Sequence, residues 1–464
     1  MEIENLTRKD LKTLTKSQLI ELILSLTDNS DNNKNENIKE PTKTSKNSSI
    51  PSSKDLTRVK SKKEENISKN KLGAKKGHKG YGREISKTPD KTVFSLIEKN
   101  PRTGAKIRSN SKSYSTHQII ELKNAVEFEI IEIKRQITTG EDKKTLTAPN
   151  PPGVKNNSLI GPKFEAFIVS LRYRYCMPLN KIKEFIKIFG GKNISSGIFS
   201  RIFRDVKKAL KVDYDKIKKH VRESEIVGAD ETGEHLNGYK GWGWVFRTEN
   251  AAFYVITNSR SSKVPNAILG KNYKGILISD FWGAYNWNKF KASGYQKCLE
   301  HLDRDFEFAK EIEKQKGINK IGKIQEIFYE AIKLKKEMDF DSQEFQEKVK
   351  IIEVRLDKEL EEKDFQTLPG NRLRKRLIKY REHLFTFLYY KDVPFHNNGS
   401  ETDIRKFVGL RKVCGSFRSC LGRGPLWQSV IMSIVETARK NNINFFDFIY
   451  QRIIGNNLLE LIKI

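Results

Sequence analysis

Three carboxylates, Asp230, Asp280 and Glu401, stand where their type and setting could do chemistry. The run Ile226-Val-Gly-Ala229 leads into Asp230, and Gly275-Ile-Leu-Ile-Ser279 leads into Asp280. Each reads as a buried strand that delivers an acid to the rim of a sheet. Glu401 comes from Asn397-Asn-Gly-Ser-Glu-Thr-Asp-Ile-Arg405, which reads as the start of a helix. Acids brought from separate parts of a chain can gather two Mg²⁺ ions about 3.5 to 4 Å apart, one to activate a water or a 3′-hydroxyl and one to stabilise the departing oxygen. Hard oxygen ligands suit Mg²⁺, with Mn²⁺ able to substitute, where His and Cys would not. That is phosphodiester chemistry. Any one of these acids alone would carry no such meaning, because exposed Asp and Glu abound.

The elements that must position this trio are legible around it. Residues 242–248 and 252–257 read as strands joined by a Glu249-Asn250 turn. Trp242 and Trp244 share one strand face and read as core. Phe281, Trp282 and Tyr285 form an aromatic loop after Asp280. From Glu307 to Glu382, apolar residues recur at helical spacing (Ile321, Ile324, Ile327, Phe328, Ile332; Val349, Ile352, Val354, Leu356) between Glu and Lys, a helical insertion.

The 464 residues exceed one ordinary core, so several domains are expected. Lys plus Arg number 88 against 58 Asp plus Glu, a net charge of +30, and the partner this implies is a polyanion, DNA or RNA. No apolar run approaches the roughly 20 residues of a membrane span, and no signal-peptide pattern opens the chain. A cytoplasmic protein without a membrane partner is expected. Cys176, Cys298, Cys414 and Cys420 form no Cys-x-x-Cys pair, so neither a disulfide framework nor a four-cysteine zinc site is indicated.

Ahead of the acids, Thr15-Lys-Ser-Gln18 caps a short amphipathic helix carrying Leu19, Leu22, Ile23 and Leu26. Polar residues then dominate to Arg83, a disordered linker. Its second half, 54–83, has eleven Lys or Arg against three acids. Lys75, Lys76, His78, Lys79 and Arg83, spaced by glycines, form a strip able to follow a phosphate backbone, although a solvated tail has the same composition. Residues 91–147 read as a small β-rich module with strands at 119–122 and 126–137. Three helices follow from Pro162. The second, 179–189, is broken from the third by Gly190-Gly191, and Arg201, Arg204, Lys207 and Lys208 lie on the third. This is a helix-turn-helix pattern, which serves equally as DNA reader or as scaffold.

Asp230-Glu-Thr-Gly233, Trp242-x-Trp244, Asp280 with its aromatic loop, Cys298-x-x-His301, and Asn397-Asn-x-x-Glu401-x-x-x-Arg405 followed by Arg411-Lys412 occur in this order. Together they resemble a DDE transposase of insertion-sequence family 66, and the similarity covers nearly the whole chain. The resemblance implies an α+β, multidomain protein: an RNase H-like catalytic core with a helical insertion, preceded by a helix-turn-helix-type domain and a basic disordered linker. The expected divisions are 1–27 helix, 28–90 linker, 91–150 β-rich module, 151–222 DNA-binding helices, 223–310 first part of the core, 311–390 insertion, 391–440 last part with Glu401, and 441–464 helical tail.

By the same resemblance Asp230, Asp280 and Glu401 are the catalytic residues and Mg²⁺ ligands, with Asp230 touching both ions. The activity implied is cleavage and strand transfer of double-stranded DNA at the element's terminal inverted repeats and at target DNA. A homo-oligomer on DNA, small accessory proteins of the same element and association with the nucleoid go with it. Arg405 lies on the Glu401 face of its helix and meets either the scissile phosphate or an acidic neighbour; Arg411 and Lys412 are further DNA contacts. Cys298 and His301 support the site or simply pack. Relatives carry a cysteine-rich zinc element after the basic strip, whereas residues 91–147 hold no cysteine, so no zinc is expected. Ser400 and Thr402 stand where the family usually shows Ala and Arg. A catalytically silent DNA-binding descendant, or an RNase H-like nuclease without strand joining, are the alternatives.

Overall fold

The computed structural model describes residues 85–106, 113–123, 127–156, 158–415, 417, 419, 421–457 and 460–461. The short amino-terminal helix, most of the linker and the basic strip lie outside the described residues. Those described are α+β and fall into two compact units, 85–300 with 380–461, and 301–379.

The larger unit opens with β1 (Lys91–Ser95), β2 (Ser113–Leu122), β3 (Phe128–Thr139) and β4 (Thr145–Thr147). In this mixed sheet β3 is central, with β1 parallel to it and β2 and β4 antiparallel. Its strands run longer than the apolar residues alone predict, because Ser113–His117 pair with β3 through backbone groups that hydropathy does not register. A helical layer follows: α1 (Pro162–Val169), α2 (Leu179–Gly190), α3 (Gly197–Ala209) and α4 (Lys211–Glu223). Gly191, at φ +62°, ends α2 in the left-handed conformation that a Cβ would disfavour. Phe164, Ile168, Phe199, Ile202, Val206 and Ile217 are buried at helical spacing, each contributing roughly 1.5–3 kcal/mol of apolar burial.

The second sheet holds β5 (Ile226–Leu236), β6 (Tyr239–Arg247), β7 (Ala252–Thr257), β8 (Asn272–Ser279) and β9 (Lys291–Lys297), in the order β7-β6-β5-β8-β9. The first three strands form an antiparallel meander; β8 runs parallel to β5, and β9 parallel to β8. Helix α5 (Lys263–Leu269) makes the crossover to β8. Trp244, Val245, Phe246, Phe253 and Tyr254 fill the core around the meander.

The smaller unit is helical: α6 (Leu299–Gln315) from its third residue, α7 (Lys320–Glu337), α8 (Gln343–Glu361) and α9 (Leu368–Lys379). Val349, Ile352 and Leu356 are buried along one stripe of α8, while Val354 is 67% exposed. Val354 therefore does not belong to the face the sequence grouped it with, since a spacing of two from Ile352 turns it away on a helix.

After this unit the chain returns to the larger one with α10 (Asn398–Cys414), α11 (Gly424–Lys440) and α12 (Phe445–Ile453). Helix α10 lies on β5 and β6, and two glycines allow its close approach. A Cβ at Gly228 would sit 2.4 Å from Ser400 Oγ, and one at Gly243 would sit 2.6 Å from the Phe407 ring. No described helix is long and apolar enough to cross a membrane.

Candidate active site

Asp230 lies within β5, not at its end as the sequence pattern implied. The strand runs six residues further, to Leu236, because β6 keeps pairing with it after β8 has stopped. The rim is the last parallel pair, Gly228 with Ile278. Carrying that register two residues on brings Asp230 level with Asp280, the first residue after β8. Glu401 arrives from above on the first turn of α10, where the partial positive charge of a helix start favours a carboxylate.

Electrostatics tie Asp280 and Glu401 to Asp230. Burial pushes the Asp230 carboxyl well above its ordinary range, and Asp280, Glu231 and Glu401 add to the rise; the Glu231 backbone N–H, donating to Asp230 Oδ1 at 2.8 Å, opposes it. A fourth acid thus joins the trio. Glu231 is pushed up to about 7, by burial first and Asp280 second, against the pull of its partners. Those partners are the Arg260 guanidinium, whose Nε and Nη2 each reach Oε1 at 2.8 Å, and the Tyr285 hydroxyl, which donates to Oε2. Buried acids that repel one another in this way fit a place meant to hold cations.

Each acid is also held mechanically. The Trp282 backbone N–H donates to Asp280 Oδ1 at 2.9 Å. Beneath it the fully buried Lys297 extends Nζ to the Asp280 carbonyl at 2.9 Å and to Ser279 Oγ at 3.0 Å, beside the Tyr285 and Tyr380 rings. Arg405 Nη2 donates to Glu401 Oε2 at 3.1 Å across one helical turn, with the Glu401 side chain 18% and that of Arg405 74% exposed. Asn397 donates its side-chain N–H to the Ala229 carbonyl at 2.8 Å and its backbone N–H to Cys298 Sγ at 3.2 Å. Cys298 is fully buried, and its sulfur is an acceptor in the site's frame.

His301 lies on α6 in the helical unit. Arg411 Nη1 reaches Thr232 Oγ1 on β5 at 3.2 Å, and Lys412 is exposed. On α3, Arg201 is half-buried with Nη2 on Ser158 Oγ at 3.0 Å, and exposed Arg204 pairs with Asp205 at 3.0 Å. Lys75, Lys76, His78, Lys79 and Arg83 lie outside the described residues. The sequence pattern does not single out Glu231, Arg260 or Lys297. The adjacent Asp-Glu pair was a signal for Glu231, whereas a single Lys in Gly-Tyr-Gln-Lys gives no sign that it will be buried.

Residues 157–423, more than half of the chain, match the family model described as Transposase IS66 family. The uncharacterized protein y4jO of Sinorhizobium fredii is 30% identical over 83 residues, which are 18% of this chain and 25% of that protein. The chain thus spans about a quarter of the length of the curated relative it matches.

Proposed function

The chain belongs to the IS66 transposase family, and from that premise we propose that it cuts double-stranded DNA at the ends of its own element and joins those ends to target DNA. The observation that carries the reading is the convergence on Asp230 of Asp280, level with it in the sheet register, and of Glu401, whose charge with that of Asp280 raises the Asp230 carboxyl; the three acids are separated by 50 and 121 positions in sequence. Strand order β7-β6-β5-β8-β9, with three antiparallel strands followed by two parallel to β5, supports an RNase H-like core. The α2–Gly191–α3 unit supports a helix-turn-helix role in end binding.

Asp230, Asp280 and Glu401 would hold Mg²⁺, and an all-carboxylate donor set in which Asp280 and Glu401 both act against the charge of Asp230 fits hard divalent cations. When bound, the metal supplies Lewis acidity to the phosphodiester and lowers the pKa of the attacking hydroxyl. The protein's own part is positional. Lys297 and the Trp282 N–H fix Asp280 from behind, Asn397 fixes the start of the Glu401 helix against β5, and Arg405, anchored on Glu401 and open to solvent, is set to receive a phosphate oxygen. A homo-oligomer on paired ends, accessory proteins of the element and a cytoplasmic, nucleoid-associated location complete the proposal.

The test is cleavage and joining of a labelled duplex carrying the element's end in Mg²⁺, native chain against Asp230→Asn. Cleaved and joined product from the native chain alone is expected. Binding without cleavage by either, in Mg²⁺ or Mn²⁺ and with accessory proteins supplied, would overturn the enzymatic reading in favour of a DNA-binding descendant. Cleavage without joining would reduce it to a nuclease.

A further inference from the structure

The tryptophans beside the site differ in a way that packing alone does not explain. Trp244 is fully buried, stacked with Phe246 and edge-on to Tyr285. Trp282, two residues after Asp280, is 39% exposed. An exposed Trp is ordinarily free to change rotamer, yet this one has its indole fixed at two points and its backbone at a third. Its backbone N–H is on Asp280 Oδ1 at 2.9 Å, its indole N–H donates to the Arg260 carbonyl at 3.1 Å, and the Arg260 guanidinium carbon lies 3.7 Å from the ring centroid. Arg260 is fixed in turn by Glu231 and by Trp242, whose ring centroid is 4.6 Å from the same carbon. The result is a stack of Trp242, Arg260 and Trp282 that starts half-buried and ends in solvent at the rim of the carboxylates.

We propose that Trp282, held by Arg260, is a stacking platform for an unpaired nucleobase of the DNA strand being processed. The inference rests on the DNA reading above and adds the subsite that grips the strand. A guanidinium covers one face of the indole, so a flat aromatic ligand meets the part left open. The cation behind the ring and the net charge of +30 favour a ligand on a phosphate chain. Bases within a duplex already stack on their neighbours, so only an unpaired base can use the platform. Every base has a π-face, so the grip tolerates any sequence. The indole ring moves little on binding because its anchors already fix it, so little ordering is left to oppose association.

The test uses the full chain in EDTA, so that binding is read without cleavage. The probes are a short duplex with a single-stranded 3′ extension carrying 2-aminopurine and the blunt duplex of the same sequence. The native chain is expected to bind the extended duplex about tenfold more tightly than the blunt one and to change the 2-aminopurine fluorescence. Trp282→Ala should abolish both effects, and Trp282→Phe should keep part of each. Equal affinities for the two duplexes, or a Trp282→Ala chain that keeps the native preference, would overturn the proposal. Should Trp282→Ala melt well below the native chain, the better-folded Trp282→Phe decides, since an undiminished fluorescence change there also overturns it. A native chain that prefers the extension but never cuts element ends defeats the cleavage reading and leaves the platform standing. One that cuts and joins with no such preference defeats the platform alone.

Discussion

The Asn397 side chain donates to the Ala229 carbonyl at 2.8 Å, and this single bond joins the residue before Asp230 to the turn that starts the Glu401 helix. Through its backbone N–H the same residue holds Cys298, at the end of β9. Asn397 therefore sets the separation of elements that carry two of the three acids. Outer partners of this kind are worth about 10- to 100-fold in metal affinity or activity. Asn397→Ala should lower the rate of end cleavage by that order while DNA affinity stays near native. A cleavage rate equal to native would show that the helix is positioned without it.

Asp230 is held in a place that opposes its charge, and under the proposed cation role this costs stability until a cation binds. Asp230→Asn keeps the shape, removes the charge, and should raise the melting temperature in EDTA, by about 0.5–2 kcal/mol of stability. Mg²⁺ should raise the melting temperature of the native chain and leave that of the variant nearly unmoved. A variant that melts lower than native in EDTA and responds to Mg²⁺ as native does would remove Asp230 from the cation site.

Features set by local signals were legible in the sequence. Apolar runs placed β5, β6, β7 and β8, and the Gly190-Gly191 break placed the end of α2 within one residue. Asp280 follows β8 as the pattern implies. Asp230 reads as a strand end because sequence shows where apolar residues stop, not where hydrogen bonding continues. Lys297 and Arg260 were illegible for a different reason. A lysine is buried only when acceptors from other elements meet it, here Ser279 and Asp280 from β8 and its end. The described residues divide into their two units at 300/301 and 379/380.

Edge protection of the second sheet was equally hidden, and it gives a paired prediction. Along α11, Ser429, Ser433 and Thr437 recur every four residues, and their hydroxyls accept the N–H groups of Ile256, Tyr254 and Ala252 on edge strand β7 at 3.0, 2.8 and 3.2 Å. Ser433→Ala would leave a buried Tyr254 N–H without its acceptor, at a cost of about 1–3 kcal/mol. Ser400 is the opposite case, its buried Oγ without a hydrogen-bond partner among the described residues. Ser400→Ala should be neutral or stabilising. Denaturant unfolding of the two variants checks both, and equal destabilisation by the two would contradict the ladder.

Glu121 supplies the pH dependence. From β2 its carboxylate accepts the N–H groups of Phe164 at 2.9 Å and Lys163 at 3.4 Å, capping α1, whose own N-cap residue Gly161 has no side chain to do so. Burial raises its pKa above the ordinary 4.5, against the lowering by these bonds. The folded chain then holds this proton more tightly than the unfolded chain. The stability tied to the proton is complete below pH 4.5 and is lost as pH rises through the folded pKa. Glu121→Gln keeps an acceptor oxygen and cannot titrate, so its stability relative to native should increase with pH across that window. Glu121→Ala removes the cap and should lose about 0.5–2 kcal/mol relative to Glu121→Gln. Melting curves of the three chains from acid to neutral pH decide the point, and a native-to-Gln difference that stays constant would mean that Glu121 titrates alike in the folded and unfolded chains.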